Sequence, residues 1–193
     1  MVVPTKVRNQ TCPPVDTFLR RIINVQIELN GNMLCQHMHL ESHSQNGEMV
    51  IQSVSLRRGK KFKGRKCAEK MNKEYKTMQA DMYNLYPAIG EVNGRRSNYS
   101  MAIIEGEERE FGQCDVEIKS RKVEPKESIR GEIARTYMYI DSVHPGRGII
   151  SKKNRKLFES SNQSDPVDKW ECERARRIER IQGNRNEVVL ENC

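Results

Sequence analysis

The apolar positions of this chain fall into a few periodic blocks, separated by turn residues and charged runs. Ala68, Met71, Tyr75, Met78 and Met82 recur at spacings of three and four, which predicts one helix with a single apolar face running up to Pro87. Residues 88–103 read as a turn region through Gly90 and Asn93-Gly94. Residues 113–119 alternate as a strand does, and the KVEPKE run that follows is a break. Residues 127–140 place Ile129, Ile133, Tyr137 and Ile140 on one helical face. After the HPGRG loop, residues 151–161 suit a short helix. A last helix is predicted with Asp165 as N-cap, Pro166 in the first position and Gly183 past its end. Val167, Trp170, Ile178 and Ile181 are its apolar anchors. The first 55 residues behave differently. RRIINVQIEL, residues 20–29, suits a strand, but the stretch after it has neither helical nor strand periodicity, and it holds His37, His39 and His43.

Charge narrows the class of partner. Lys plus Arg number 34 against 26 Asp plus Glu, a net charge of +8 on 193 residues. A length of this order suits one domain with at most a small appendage. The excess points to a polyanion, nucleic acid before acidic lipid, with a merely soluble basic protein as the alternative. Residues 57–66, RRGKKFKGRK, concentrate that charge and read as a phosphate-contacting loop or a solvated linker. Arg174, Arg176, Arg177 and Arg180 on the last helix are either phosphate contacts or solvated partners of Glu171, Glu173 and Glu179. No apolar run approaches the ~20 residues needed to span a bilayer. The N-terminus lacks the basic, apolar and small-residue regions of a signal peptide. Six cysteines are scattered without CxxC or zinc spacing, which favours disulfides in an oxidising compartment over buried thiols.

Several blocks, in order, carry a family resemblance: KGRKCAEKMNKEY, MQADMYNLYPAIGEVNGRRSNY, FGQCD, RKVEP, RGEIARTYMY and PVDKWECERARRIERIQGNRN. Through them residues 60–193 resemble the bacterial endonuclease I family of periplasmic or secreted nucleases, which belongs to the ββα-metal (His-Me finger) group. The resemblance implies an α+β fold, a ββα core surrounded by helices. It implies hydrolysis of DNA, and of RNA, without sequence preference, by a monomer that uses one Mg²⁺ and no membrane. In this family the ion is held by a Glu on a strand and an Asn on the following helix, and the Asn matches Asn84. A neutral oxygen ligand suits hard Mg²⁺ and leaves the site positive toward a phosphate. Arg57, Arg58, Lys60, Lys61, Lys63, Arg95, Arg96, Arg174 and Arg177 would contact the backbone, giving affinity without sequence preference. Cys67, Cys114, Cys172 and Cys193 become disulfide candidates, Cys172 with Cys193 as one pair.

The family's general base is a His in a Trp-Glu-His-Val-Val-Pro motif, where a neutral imidazole takes a proton from water. This chain has no such motif. His37 lies at about the right distance before Asn84, but its context, CQHMHLE, lacks the preceding Glu; His39 is the other candidate. Back-translation supplies an explanation. When the codons permitted by Ile27–Leu34 are read from the third base of each, they allow Arg-Ile-Glu-Trp-Glu-His-Val-Val. From Cys35 onward the same frame allows Pro-Ala-His-Ala-Phe-Gly, and Gln45–Glu48 allow Glu-Trp-Arg. The expectation is an atypical segment, residues 1–55, translated out of frame over the catalytic strand, followed by an incomplete endonuclease I domain at 56–193. A rival reading for the literal polypeptide is a catalytically dead remnant that binds nucleic acid. A basic, disulfide-stapled secreted binder of other ancestry is a third.

Overall fold

The computed structural model describes residues 73–106 and 108–193, together with three short strands, Ile22–Asn24 (β1), Val54–Ser55 (β2) and Lys61–Phe62 (β3). The chain forms two compact units, one of residues 26–81 and one of residues 1–25 with 82–193. In the first, β2 and β3 pair antiparallel, with Val54 opposite Phe62, and helix α1 spans Lys73–Ala80. Tyr75 and Met78 of α1 are buried, as their spacing requires; Ala68 and Met71 lie outside the described residues.

The helix expected to reach Pro87 ends at Ala80. Met82–Asn84 instead form a 3₁₀ turn, and Leu85–Pro87 form strand β4, paired antiparallel with β1. The cause is tertiary. The Arg174 guanidinium takes the carbonyls of Met82, Tyr83 and Leu85 at 3.0, 3.4 and 3.1 Å. A helix ending before Pro87, which has no N–H, would leave the Tyr83 and Leu85 carbonyls without intrahelical donors, and in the turn the guanidinium supplies them. The turn predicted at 88–103 also differs. Gly90–Arg96 form helix α2 with Gly94 inside it, and Ser100–Met101 form β5. Both glycines face open space, so their effect is a propensity cost without a steric cause.

The strand expected at 113–119 contracts to Glu117–Lys119 (β6), behind a 3₁₀ turn at Gly112–Cys114. With Lys122–Glu124 (β7) and β5 it makes a three-stranded sheet in the order β5-β7-β6; β5 runs parallel to β7, and β6 antiparallel. Helix α3, Arg130–Val143, follows a 3₁₀ turn at Glu127–Ile129. Its expected face is buried at Tyr137 and Ile140, whereas Ile129 is exposed. Helix α4 spans Lys152–Ser164, α5 spans Lys169–Gln182, and α6 spans Glu187–Leu190. The architecture is therefore α+β, as expected. The helical core joins Ala134, Tyr137 and Ile140 of α3, Phe158 of α4 and Ala175 and Ile178 of α5. Tyr137 stacks on Phe158 with ring centroids 4.6 Å apart.

Helix α5 starts at a different residue from the one predicted. Asp168 is its N-cap, in a reciprocal capping box with Glu171, and Asp165 closes α4. Asp165 is needed elsewhere: its carboxylate accepts the Gly131 N–H at 2.8 Å and its carbonyl accepts Arg135 Nη1 at 2.6 Å. Gly183 ends α5 in the left-handed conformation, as predicted. Cys172 of α5 is joined to Cys193 by a disulfide with Cα atoms 5.8 Å apart. Among the described residues no helix is long and apolar enough to cross a membrane.

Candidate active site

Asn84 closes the 3₁₀ turn in front of β4 and is 3% exposed. Side chains from distant parts of the chain position the turn. Gln182 Oε1 accepts the Met82 N–H at 2.8 Å. The Tyr83 hydroxyl donates to the carbonyls of Ala175 and Asn184, at 3.1 and 3.2 Å. The Tyr83 ring packs against Tyr139 of α3 at 4.8 Å. Arg174 adds the carbonyl bonds given above and lies over the Tyr86 ring, 4.0 Å from its centroid. A turn held by charge-assisted bonds to successive carbonyls fixes the backbone on both sides of Asn84.

The same arginine continues into a buried network. The Thr136 hydroxyl donates to the Glu132 carbonyl at 3.0 Å. The Tyr86 hydroxyl therefore donates to Thr136 Oγ1 at 2.8 Å and accepts from Arg174 Nη1 at 3.1 Å. Burial pushes the Tyr86 phenol up to about 12, against the opposing pull of Arg174. Tyr86, Val92, Arg96, Val123, Glu132 and Trp170 are among the walls of an apolar cavity of about 380 Å³. Glu132 is the unusual member. Its buried Oε1 has no hydrogen-bond partner among the described residues. Burial raises its pKa to about 7; the Glu171 carboxylate adds to this and Asp168 does so weakly, while Arg174 and Arg135 oppose it.

That shift has a sign. Between about 4.5, the ordinary value, and about 7, the folded protein keeps a proton that the unfolded chain has lost. Stability therefore falls as pH rises through that window and stays reduced above it. Glu132→Gln keeps the shape and removes the charge. We expect it to raise stability at pH 8 by about 2 kcal/mol and to leave it unchanged at pH 4. Urea unfolding at the two pH values measures the difference; an equal effect at both would exclude ionisation as its source.

The other residues singled out from sequence fall in different places. Arg174 serves the protein's own backbone, which sequence reasoning did not anticipate. Arg95 pairs with Glu110 and lies 5.7 Å from the Phe111 ring centroid, while Arg96 is half-buried at the cavity wall. Arg177 is exposed and pairs with Glu173 at 2.6 Å, holding that carboxyl below its ordinary value. Cys114 is half-buried at the end of its 3₁₀ turn. His37, His39, Arg57, Arg58, Lys60, Lys63 and Cys67 lie outside the described residues, and Lys61 is described only as backbone of β3. Among the described residues no three His, Cys, Asp or Glu side chains gather as a metal cluster. Sequence reasoning also missed Tyr83 and Gln182, whose roles depend on partners about a hundred positions away.

Residues 48–193 match the family described as Endonuclease I. The chain is 43% identical over 136 residues to an Endonuclease-1 of Buchnera aphidicola, covering 69% of this chain and 53% of that protein. It is 43% identical over 133 residues to a periplasmic deoxyribonuclease of Aeromonas hydrophila, covering 67% and 55%. An extracellular deoxyribonuclease of the same organism is 42% identical over 133 residues, covering 67% and 56%. The chain thus spans just over half the length of the curated relatives it matches.

Proposed function

The chain belongs to the endonuclease I family, and on that basis we propose that it carries the metal-ligand half of a Mg²⁺-dependent endonuclease acting on DNA, and on RNA, without sequence preference. The carrying observation is the Asn84 turn, clamped by α5 within the matched residues. Its carboxamide oxygen is a hard, neutral donor of the kind Mg²⁺ accepts alongside water. One donor does not hold the ion. In the His-Me finger arrangement the Glu and His come from a strand that would lie in the first 55 residues, where this chain has no Glu-His pair. Bound there, Mg²⁺ would supply electrostatic stabilisation of the phosphate oxygens. The chain's own contribution is positional. Arg174, Tyr83 and Gln182 hold the turn, and Arg96 with the exposed cations of α5 would hold the backbone phosphates. The names of the relatives support a periplasmic or secreted setting, in which the Cys172–Cys193 disulfide is at home.

We further propose that residues 1–55 are an out-of-frame translation of the catalytic strand. Two proteins test both ideas in plasmid nicking with Mg²⁺ and EDTA controls: the present chain and one with the frame restored. The restored chain should cleave about 10²-fold faster or more, the contribution typical of a positioned general base. Asn84→Ala in the restored chain should remove cleavage while the circular dichroism spectrum is kept. Equal rates for the two chains would defeat the frame proposal, and full activity of Asn84→Ala would defeat the ligand assignment. A second reading follows from the missing Glu-His pair: the present polypeptide binds nucleic acid without cutting it. A gel shift by the present chain that survives EDTA, with no nicking by that chain, would favour that reading.

A further inference from the structure

The β6–β7 hairpin is built against local preference at its tip. Lys119 and Lys122 face each other in the closing antiparallel pair, with Ser120 and Arg121 as the two turn residues. Their φ values are 51° and 61°, so both sit in the left-handed region. A two-residue hairpin turn of this hand favours Asn-Gly, because a Cβ is strained there. Directly opposed like charges add a second penalty. A tight turn is thus occupied by neither of its preferred residues, and three cations crowd into four positions.

The hairpin also separates its charges. At its base Glu117 faces Glu124, and both are buried. Glu124 is compensated by Arg130 at 2.6 Å and by the Ile104 N–H, and Glu117 accepts the Arg109 N–H at 3.3 Å. At the tip Lys119 pairs with Glu108 at 3.2 Å, whereas Arg121 and Lys122 are exposed and form no ion pair among the described residues. The tip lies beside β5, with Lys122 opposite Ser100, four residues after Arg96 of α2. This places the tip at the sheet end toward which the α2 cations lead.

Local strain and opposed charge kept together at an exposed tip indicate a partner that neutralises them. Resting on the nuclease reading, we propose that the Lys119–Lys122 tip contacts the sugar-phosphate backbone of duplex DNA, with Arg121 and Lys122 each on a phosphate. The contact is to the backbone, so it adds affinity without sequence preference.

The test uses the full 193-residue chain and a fluorescent duplex of about 20 base pairs in EDTA, so that binding is read without cleavage. Arg121→Ala with Lys122→Ala should weaken binding about tenfold near physiological salt. It should also flatten the slope of log affinity against log salt by nearly 2, about 0.9 per lost phosphate. The second variant, Ser120→Asn with Arg121→Gly, gives the turn its preferred residues. It should raise Tm by about 2–4 °C while also weakening DNA binding, an opposition that a purely structural turn would not show. If wild-type protein binds DNA and both variants match it in affinity and slope, the hairpin proposal is overturned. Wild-type protein that fails to bind DNA at all would overturn the nuclease reading together with it.

Discussion

Arg135→Met is expected to cost about 3–5 kcal/mol of folding stability, a large part of what a domain of this size has. Arg135 is 1% exposed, and each of its three guanidinium nitrogens donates a hydrogen bond. Nε and Nη2 grip the two oxygens of Glu171 at 2.9 and 2.5 Å, while Nη1 donates to Asn162 Oδ1 at 3.0 Å and to the Asp165 carbonyl at 2.6 Å. The side chain thus joins α3 to α4, to the α4–α5 connection and to the first turn of α5. Methionine fills much of the volume but leaves a buried Glu171 carboxylate facing no cation. The cost comes from that orphaned charge more than from the lost attraction, because the desolvation of both ions offsets much of the pair's Coulomb energy. A double variant, Arg135→Met with Glu171→Leu, should therefore recover most of the loss. It should fall short of wild type by about 1 kcal/mol, since Glu171 also serves the capping box. Urea unfolding of the two singles and the double completes the cycle; additive losses would show that the two side chains act independently.

Gly131→Ala should lower stability by about 3 kcal/mol, although the same change in an unobstructed helix normally raises it. A Cβ at Gly131 would lie 1.9 Å from the Asp165 carbonyl oxygen, 2.8 Å from Asp165 Cβ and 2.9 Å from Arg135 Nη1. The first of these is backbone and cannot rotate away. Making room would separate the N-terminus of α3 from the end of α4 and stretch the Gly131 N–H bond to the Asp165 carboxylate. Gly94, inside α2 with open space around its Cβ position, is the internal control. Gly94→Ala should stabilise by about 0.5–1 kcal/mol. Thermal unfolding of the pair should move in opposite directions, and a stabilised Gly131→Ala would refute the close approach.

Arg135 and Gly131 both stand in the RGEIAR block, and that block shows how far the sequence could be read. Periodicity found α3, which buries Tyr137 and Ile140 of its expected stripe; α5 was read from its end signals, and of its expected anchors Ile178 is buried whereas Trp170 and Ile181 are exposed. Gly183 was legible because a helix end in the left-handed region is a local demand. Asp165 and Asp168 are both sound N-caps by composition; the choice between them was made by Gly131 and Arg135, which lie 30 or more positions away. The break at Asp81 was illegible for the same reason. Tyr75, Met78 and Met82 keep helical spacing, and only the arrival of Arg174 diverts the carbonyls. At the site, Asn84 came from the family resemblance, since a lone Asn before Leu-Tyr-Pro reads as an ordinary turn residue. Arg174 looked like a phosphate contact because charge and a helical position carry no record of which side the helix presents. Only its partners reveal a side chain spent on the backbone.

The bonds that shape the Asn84 turn join residues 89 to 101 positions apart. During synthesis the turn lacks these hydrogen-bonding partners until Arg174, Ala175, Gln182 and Asn184 have been made and folded back. Contacts of such separation form late, after the loop-closure entropy has been met. A ribosome-bound chain can therefore complete its earlier helices while the Asn84 turn is still unshaped. For a protein proposed to cut nucleic acid, the order of assembly would itself delay competence until residues 174–184 have emerged.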